Sequence, residues 1–318
     1  LNLAYVGDAR FNPSSSTPIP ISVVPINAPT STTIGAITPA SIVVGAAYTV
    51  TVAINSSNGT PSAGTVNVAA AGFADACTIT LPATSCTIPA TQTALPGVRN
   101  LIASYSGTSG FDPSVSAPRT LLVAAGSTLL SSPTLSPSGV VTGESFSASG
   151  TLANPVSAST LTPSGTLTAR VLPLGNQVNC TLSPQAPGTA AYSCPGLASP
   201  ISAAKLVELR YAGSADLVFP AAQATATQSV SRAPTRTRIL ADTPDPSAPG
   251  QPVTVSVEVS AAAPSTAPTA GIGSVLVSDG VDSCSFTLPA SSCSLSLSTG
   301  GLRTLTASYA GDANFLPS

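Results

Sequence analysis

One ten-residue pattern occurs four times in this sequence at nearly regular intervals. It reads YVGDARFNPS from Tyr5, YSGTSGFDPS from Tyr105, YAGSADLVFP from Tyr211 and YAGDANFLPS from Tyr309. The four tyrosines are 100, 106 and 98 residues apart, which is the length of a small all-β domain rather than of a helical solenoid repeat. The 318-residue chain is therefore predicted to be an array of three domains preceded by the end of a fourth.

The same order of strand patterns recurs in each repeat. A glycine opens an alternating run, as in GQPVTVSVEV from Gly250, where four valines share one face. A second run follows, as in GTVNV from Gly64, and a third ends at the shared tyrosine, as in NLIASY at 100–105. Period-two alternation of β-branched residues is typical of half-buried strands. The predicted fold is all-β, with tandem antiparallel β-sandwiches of immunoglobulin type.

Short linkers, most of them containing proline, divide the predicted domains: NAPTS at 27–31, AAGST at 124–128 and SRAPT at 231–235. The segment PIPISVV at 18–24 is predicted to be the closing strand of the preceding repeat. The predicted domains are the last strands of that repeat at 1–26, a first repeat at 27–123, a second at 124–231, and a third at 232–318 that lacks its final strand. This arrangement suggests a piece of a longer array.

The shared motif is interpreted as a turn. Its tyrosine is predicted to be the last inward residue of a strand, its glycine supplies a permissive backbone, and its Asp or Ser hydrogen-bonds nearby amides. The phenylalanine is expected to fold over the end of the core. The motif residues are Tyr5, Gly7, Phe11, Tyr105, Gly107, Phe111, Tyr211, Gly213, Tyr309, Gly311 and Phe315. Calcium binding through Asp8, or through Asp312 and Asn314, is the alternative, but the second repeat has no matching carboxylates.

The six cysteines fall two to a repeat. They are Cys77 and Cys86, Cys180 and Cys194, and Cys284 and Cys293. The segments CTITLPATSCTI and CSFTLPASSCSL each place two alternating strands around a Leu-Pro-Ala turn, so we predict one hairpin disulfide in each repeat. Zinc would need four soft ligands in one place, and the chain contains no histidine. Disulfides indicate an oxidising compartment, extracellular or at the cell surface.

Glycine, paired cysteines, tyrosine, turn and phenylalanine recur in this order, which resembles the bacterial immunoglobulin-like repeats of long secreted and surface-anchored proteins. The resemblance covers essentially the full chain. The middle repeat departs from the pattern, with a longer cysteine loop and Leu217 in its turn.

Composition and residue types argue against several classes of function. A net charge of −2, with 7% charged residues, offers no basic face for nucleic acid or anionic membranes, and the apolar stretches are shorter than a membrane span. Without histidine the usual serine nucleophile arrangement cannot be built. The carboxylate pairs Asp242 with Asp245, and Asp279 with Asp282, lie in turn sequences. We therefore predict no enzyme, no cofactor and no metal site.

Two candidate modifications also receive little support. Lys205 is the only lysine, so a lysine–asparagine crosslink cannot recur in every domain. The glycosylation sequences at Asn55, Asn58 and Asn179 are interpreted as coincidental in a chain rich in serine and threonine.

Two function classes remain. The first is a structural segment whose partner is itself: a stiff stalk, filament or surface layer of a bacterial surface or secreted protein. The alternative is an adhesin or carbohydrate-binding module that binds a carbohydrate or protein through its sandwich loops. Carbohydrate sites usually display exposed aromatic rings, and the chain has six tyrosines, seven phenylalanines and no tryptophan. This composition favours the structural role.

Overall fold

The computed structural model describes residues 2–22, 26–155, 161–268 and 272–318. The regular structure of these residues is β-strand, apart from a 3-10 turn at Ala90–Gln92, so the all-β prediction is confirmed. No helix in the described ranges is long and apolar enough to cross a membrane. By compactness the chain divides into a unit of Leu1–Ile42, Ala47–Thr93 and Gly97–Val123 and a unit of Val43–Ala46, Ala94–Pro96 and Ala124–Ser318.

The strands occur in four groups along the chain. A short antiparallel pair comes first: β1 (Ala4–Tyr5) and β2 (Ser14–Ser15). The first sandwich contains β3 (Thr30–Thr38), β4 (Ile42–Val43), β5 (Tyr48–Ser56), β6 (Thr65–Ala70), β7 (Ala76–Thr80), β8 (Ser85–Ile88), β9 (Gly97–Tyr105), β10 (Ser114–Val115) and β11 (Arg119–Ala124).

The second sandwich contains β12 (Leu129–Leu130), β13 (Thr134–Ser136), β14 (Gly139–Val141), β15 (Phe146–Ala153), β16 (Leu167–Leu172), β17 (Gln177–Asn179), β18 (Thr181–Ala186), β19 (Thr189–Leu197), β20 (Lys205–Tyr211) and β21 (Ala222–Ser231). The third contains β22 (Thr235–Thr243), β23 (Pro252–Ala261), β24 (Ser274–Ser278), β25 (Ser283–Thr287), β26 (Ser292–Ser296) and β27 (Thr306–Tyr309).

Each sandwich consists of two sheets. In the first, the order β3-β5-β8 faces β4-β11-β9-β6-β7, with β10 also on β9. In the second, β12-β15-β19-β18, with β13 on β15, faces β14-β21-β20-β16-β17. In the third, β22-β23-β26 faces β25-β24-β27. Strand β14 pairs in parallel with β21, whereas β5, β9, β15 and β23 pair antiparallel with β3, β6, β19 and β26.

The core lies where the sequence pattern places it. The four valines of β23 are buried and the residues between them are exposed or half-buried, as alternation predicts. Leu101, Ala103 and Tyr105 of β9 are likewise buried on one face. In the third sandwich only Tyr309 of the equivalent residues is fully buried, whereas Leu305 and Ala307 remain half-buried.

The predicted closing strand at 18–24 is not borne out where it can be assessed. Residues 18–22 form no strand, and 23 and 24 lie outside the described residues. Tyr5 and Phe11, expected to face a core, are 44% and 67% exposed, because the strand pairing of residues 2–22 is limited to the short β1–β2 ladder. The domain boundaries at 26, 123 and 231 stay predictions.

Candidate functional site

The tyrosine of the motif closes the core of each sandwich. Tyr105, Tyr211 and Tyr309 are each 2% exposed. A Cβ on Gly64, which precedes β6, would lie 2.8 Å from Tyr105 Cε2, and one on Gly273 would meet the Tyr309 ring. Glycine therefore precedes the second strand of these repeats because the tyrosine ring occupies the space of its side chain.

The glycine two residues after the tyrosine has a left-handed backbone in every copy. Its φ is +72° at Gly107, +89° at Gly213 and +80° at Gly311. A Cβ on Gly107 would lie 2.8 Å from the backbone N of Pro113, and one on Gly311 would lie 2.9 Å from the backbone O of Phe315. Both the backbone conformation and the lack of space thus require glycine at this point of the turn.

The residue after this glycine fastens the turn. Asp312 Oδ1 accepts the backbone N–H groups of Asn314 at 2.7 Å and Phe315 at 2.8 Å. Burial raises the pKa of Asp312, but these N–H groups, together with the Tyr309 hydroxyl and the Ile272 N–H, hold the pKa below its ordinary value. Ser214 Oγ accepts the Phe219 N–H at 2.9 Å in the second sandwich. Each acceptor thus has a role in the turn, as the turn interpretation expects.

The turn also holds the linker that enters its own sandwich. Ala233, in the linker before β22, donates its N–H to Asn314 O and accepts the N–H of Leu316, both at 2.8 Å. In the first sandwich Ala28 makes the same two contacts with Gly110 and Asp112, both at 2.9 Å. We call this pair of hydrogen bonds the linker clamp.

The second sandwich has a related but longer turn. Gly126 donates its N–H to Val218 O at 2.7 Å, and Thr128 Oγ1 donates to Pro220 O at 2.9 Å. The buried ring belongs to Phe219, whereas Leu217 is 75% exposed with φ of +61°. The sequence comparison missed Phe219 because two additional residues shift it along the motif.

The disulfides join the predicted cysteine pairs, but two of them have a different setting from the one expected. Cys77 is bonded to Cys86, Cys180 to Cys194, and Cys284 to Cys293. The bonded cysteines bracket a hairpin only in the second sandwich, where Cys180 directly precedes β18 and Cys194 lies on the paired strand β19.

In the first and third sandwiches the hairpin prediction is corrected, because the Leu-Pro-Ala turn crosses from one sheet to the other. Leu81 donates its N–H to Gly64 O beside β6 at 3.1 Å, whereas Thr84 O accepts the N–H of Val52 in β5 at 2.8 Å. Strand β7 therefore pairs with β6, and β8 pairs with β5. The third sandwich repeats this crossing between β25 and β26. These two disulfides covalently connect the two sheets of a sandwich.

A buried charged cluster in the first sandwich was not identified from the sequence. Arg99 and Asp75 are 0% and 1% exposed, with Arg99 Nε 2.9 Å from Asp75 Oδ2. Tyr48 Oη donates to Asp75 Oδ1 at 2.9 Å, and the guanidinium of Arg99 lies 3.6 Å from the centroid of the Phe73 ring. Burial, followed by the contact with Asp75, raises the pKa of Tyr48.

The sequence does contain a signal for this cluster. A basic residue stands six positions before each tyrosine from the first sandwich on, as Arg99, Lys205 and Arg303, and an aspartate stands two positions before Cys77 and Cys284. Lys205 is nearly fully buried at the start of β20. Arg303 pairs at 2.5 Å with Asp279, whereas Asp282, the aspartate at the position of Asp75, accepts from Ser298.

The carboxylates considered as catalytic candidates lie in turns or at a sandwich end. Asp279 Oδ1 accepts the N–H groups of Val281 and Asp282, and these two bonds hold the pKa of Asp279 below its ordinary value. Asp282 Oδ2 accepts both the N–H and the hydroxyl of Ser298. Asp242 and Asp245 line an open cleft of about 200 Å³ at one end of the third sandwich. In the described ranges, no three metal-ligating side chains come together.

The second and third sandwiches are joined by polar contacts. Ser202 donates its N–H to Asn314 Oδ1 at 2.9 Å and its hydroxyl to Ala313 O at 2.6 Å. Ser265 Oγ donates to Thr142 O at 2.6 Å. The motif turn thus contributes to this junction as well as to the linker clamp.

A glycine lies at the centre of the same junction. Thr266 Oγ1 donates to Gly143 O at 2.8 Å. The φ of Gly143 is +76°, and a Cβ there would lie 2.5 Å from Cβ of Ala267. The junction therefore leaves no space for a side chain at Gly143.

Comparisons with known proteins address the family and the fold. Residues 240–318 match the model of the bacterial Ig-like domain, group 3. No curated protein sequence matches the chain. Among solved structures the chain is similar to invasin, titled a bacterial integrin-binding protein, with 15% identity, a TM-score of 0.41, and coverage of 90% of this chain and 57% of that one.

Two other solved structures are also similar. The Escherichia coli adhesin FdeC has 15% identity and a TM-score of 0.25, with 93% of this chain and 98% of that chain covered. The chicken CNTN1 FN1–FN3 domains have 12% identity and a TM-score of 0.25, with 88% and 92% covered. These structural scores are too low to support a functional conclusion. The sequence motif, the sandwich topology and the family match agree for the last repeat, and residues 240–318 thus belong to the bacterial immunoglobulin-like domains of group 3.

Proposed function

We propose that this chain is a load-bearing structural segment of an extracellular or cell-surface bacterial protein, acting in a stalk, filament or surface layer. The observation that carries the proposal is the linker clamp. Because the linker residues Ala28 and Ala233 are hydrogen-bonded on both their N–H and C=O sides, tension applied through a linker acts on the backbone of its sandwich. A free linker would instead extend before any load reached the fold.

The disulfides support the same role. The bonds Cys77–Cys86 and Cys284–Cys293 connect opposite sheets, so separating the sheets under tension cannot extend the residues that the bonds enclose. Disulfides of this kind persist in oxidising compartments, which supports an extracellular location.

Single-molecule force spectroscopy of the oxidised and the reduced chain tests the proposal. We expect one unfolding step for each sandwich. Reduction should lengthen two of the steps by about 30 Å each, because a sequence separation of 9 residues is released, and the third by about 50 Å for a separation of 14. A chain that extends smoothly at low force, without separate steps, would contradict the proposal.

A binding role is the second candidate, and a cavity in the first sandwich favours it. The cavity has a volume of about 340 Å³ and opens between β5 and the β6–β7 side, with Val52, Ile54, Val66, Ile79 and Leu81 in its lining. No aromatic ring lines it, so it suits a small aliphatic group better than a sugar ring.

A blocking substitution tests this second role. Ala83→Trp at the exposed rim should abolish binding of any ligand found on a glycan or peptide array, whereas Ala71→Trp, also exposed, should leave binding unchanged. Equal binding by both variants would exclude the cavity as the site.

A further inference from the structure

We propose that the exposed side of β22 binds a linear acidic polysaccharide. The binding surface, which we call the arginine row, consists of Arg232, Arg236 and Arg238. This binding role is separate from load bearing and from the cavity of the first sandwich. A residue-by-residue comparison of β22 with β3 distinguishes the residues that the fold needs from those that it does not need.

The inward residues of β22 make the same contacts as their counterparts in β3. Thr235 Oγ1 donates to Leu316 O at 2.7 Å, and Thr30 Oγ1 donates to Asp112 O at 2.8 Å. Both threonines lie two residues after the alanine of a linker clamp. The two strands therefore align without a gap from the clamp onward, and their inward sides hold the sandwich together in the same way.

The outward residues of the two strands differ in charge. Arg236 and Arg238 are exposed on β22, whereas the aligned positions of β3 hold Ser31 and Thr33, which are also exposed. Charged side chains often protect the edge strand of a sheet from pairing with another chain. Strand β3 is equally an edge strand, yet it contains no charged residue. Neither folding nor edge protection therefore requires the arginines of β22.

The aligned positions stay exposed in a sandwich that has an additional closing strand. The first sandwich contains β11, which pairs with β9 in the sheet opposite β3. Ser31 and Thr33 are exposed in the presence of β11. A strand at the corresponding place in the third sandwich would thus leave the arginine row accessible.

The arginine row is not neutralised by ion pairs. Among the described residues, the arginines that pair with carboxylates are Arg99, Arg170, Arg210 and Arg303. Arg236 faces Ser260 across the β22–β23 ladder, and Arg238 faces the exposed Glu258 without forming an ion pair in the described structure. Three of the ten basic residues of the chain lie within 232–238, so the net charge of −2 does not describe this surface.

The spacing of the row fits a linear polyanion. Arg236 and Arg238 are two residues apart on a strand, so their Cα atoms are about 7 Å apart, and Arg232 extends the row into the linker. Each guanidinium can bind a carboxylate or a sulfate through two parallel N–H groups. A polymer that carries such groups along its length can contact several arginines at once, which raises the affinity over that of a single anion.

The absence of aromatic residues from β22 favours a sugar polymer among the polyanions. Single-stranded nucleic acid is usually bound with its bases stacked on aromatic side chains, and the sequence of β22 contains none. An acidic polysaccharide can be bound through its charges without such stacking. The scarcity of aromatic residues, which argues against a site for neutral sugars, therefore does not argue against this ligand.

Isothermal titration calorimetry of the full chain with oligogalacturonate, dextran sulfate and uncharged dextran tests the proposal. We expect at least one of the charged polymers to bind, with an affinity that falls as the salt concentration rises, and dextran not to bind. Binding of oligogalacturonate alone would identify carboxylate as the ligand group, and binding of dextran sulfate alone would identify sulfate.

Variants of the row connect binding to these residues. Arg236→Ser combined with Arg238→Thr introduces the residues of the first sandwich, so it should keep the thermal midpoint and lower the affinity roughly tenfold. Arg119→Ser is the matched control, since it removes an exposed arginine of the first sandwich, and it should leave the affinity unchanged. Glu258→Gln should raise the affinity, because it removes the carboxylate opposite Arg238.

Four results would each overturn the proposal. They are a wild-type chain that binds neither charged polymer, equal binding of uncharged dextran, an affinity that survives the double substitution, and binding of double-stranded DNA without binding of either charged polymer. None of these results affects the load-bearing role, which the force measurements test separately.

Discussion

The paired substitutions Gly143→Ala and Gly250→Ala isolate the contribution of the junction between the second and third sandwiches. Both glycines have left-handed backbones, with φ of +76° and +80°, and both donate an N–H to a loop carbonyl, Gly143 to Ser199 O and Gly250 to Leu297 O. They differ in their surroundings, because only Gly143 lies against Ala267. Gly250→Ala therefore serves as a control for the backbone cost of the same substitution.

The expected magnitudes follow from these surroundings. Placing alanine in a left-handed conformation costs about 1–2 kcal/mol at either position. At Gly143 the added Cβ would also lie 2.5 Å from Cβ and 2.7 Å from N of Ala267, and overpacking of this kind typically costs about 1–3 kcal/mol more. Gly143→Ala should thus lower the free energy of unfolding by about 2–5 kcal/mol, and Gly250→Ala by about 1–2 kcal/mol.

Two measurements separate a loss of stability from an opening of the junction. Urea denaturation followed by far-ultraviolet circular dichroism gives the difference in unfolding free energy between the variants. The NMR shift of the Ser202 amide reports on the junction directly, because this N–H is bonded to Asn314 Oδ1. We expect that shift to move in Gly143→Ala and to stay in place in Gly250→Ala.

An equal loss of stability in the two variants, with the wild-type shift of Ser202 kept in both, would refute a role of Gly143 in the junction. That result would mean that the contact between Gly143 and Ala267 does not constrain the two sandwiches. Equal stability with a moved shift in Gly143→Ala alone would instead show that the clash is relieved by opening the junction.

Three further predictions concern individual interactions. Arg99→Met should lower the free energy of unfolding in urea by about 3–5 kcal/mol because it leaves Asp75 charged and buried. Arg303→Met should lower it less, since its partner Asp279 keeps the N–H groups of Val281 and Asp282 as donors. Replacing both cysteines of the first sandwich by alanine should lower its unfolding free energy by about 2.5–3 kcal/mol, measured by the same method. Burial, with nearby carboxylates, raises the pKa of Tyr211 and Tyr309 to about 12 from 10.0, so the folded state holds these protons more tightly. The stability contributed by these tyrosines should therefore be fully present below pH 10 and be lost as the pH rises through 12, in step with tyrosinate absorbance. Titration of the two tyrosines without loss of structure would contradict this.

The features that local pattern determines could be predicted from the sequence. Alternation identified the inward face of β23 because the side-chain period of a strand is two. The motif glycine was predicted to permit a turn, and the structure shows that Gly107 and Gly311 also lack space for a Cβ. Such features depend on a few neighbouring residues.

The features that depend on pairing between distant strands were not predictable in this way. Two alternating strands around a Leu-Pro-Ala turn have the same pattern whether they form a hairpin or pass to opposite sheets. The partners of β7 and β8 lie elsewhere in the chain and decide between these outcomes. The ion pair of Arg99 with Asp75 spans 24 residues, so it becomes visible only when the repeats are compared position by position.

The crossing turn also has a consequence for covalent integrity. In the first sandwich the exposed residues Pro82, Ala83 and Thr84 lie between two cysteines that are bonded to each other. Exposed turns of small residues are preferred sites of proteolytic cleavage. A single cut there would leave both products joined through sulfur, with each half still paired in its own sheet. A nicked chain would therefore run as one species on a gel until it is reduced, and a surface array built from such chains would tolerate such a cut without parting.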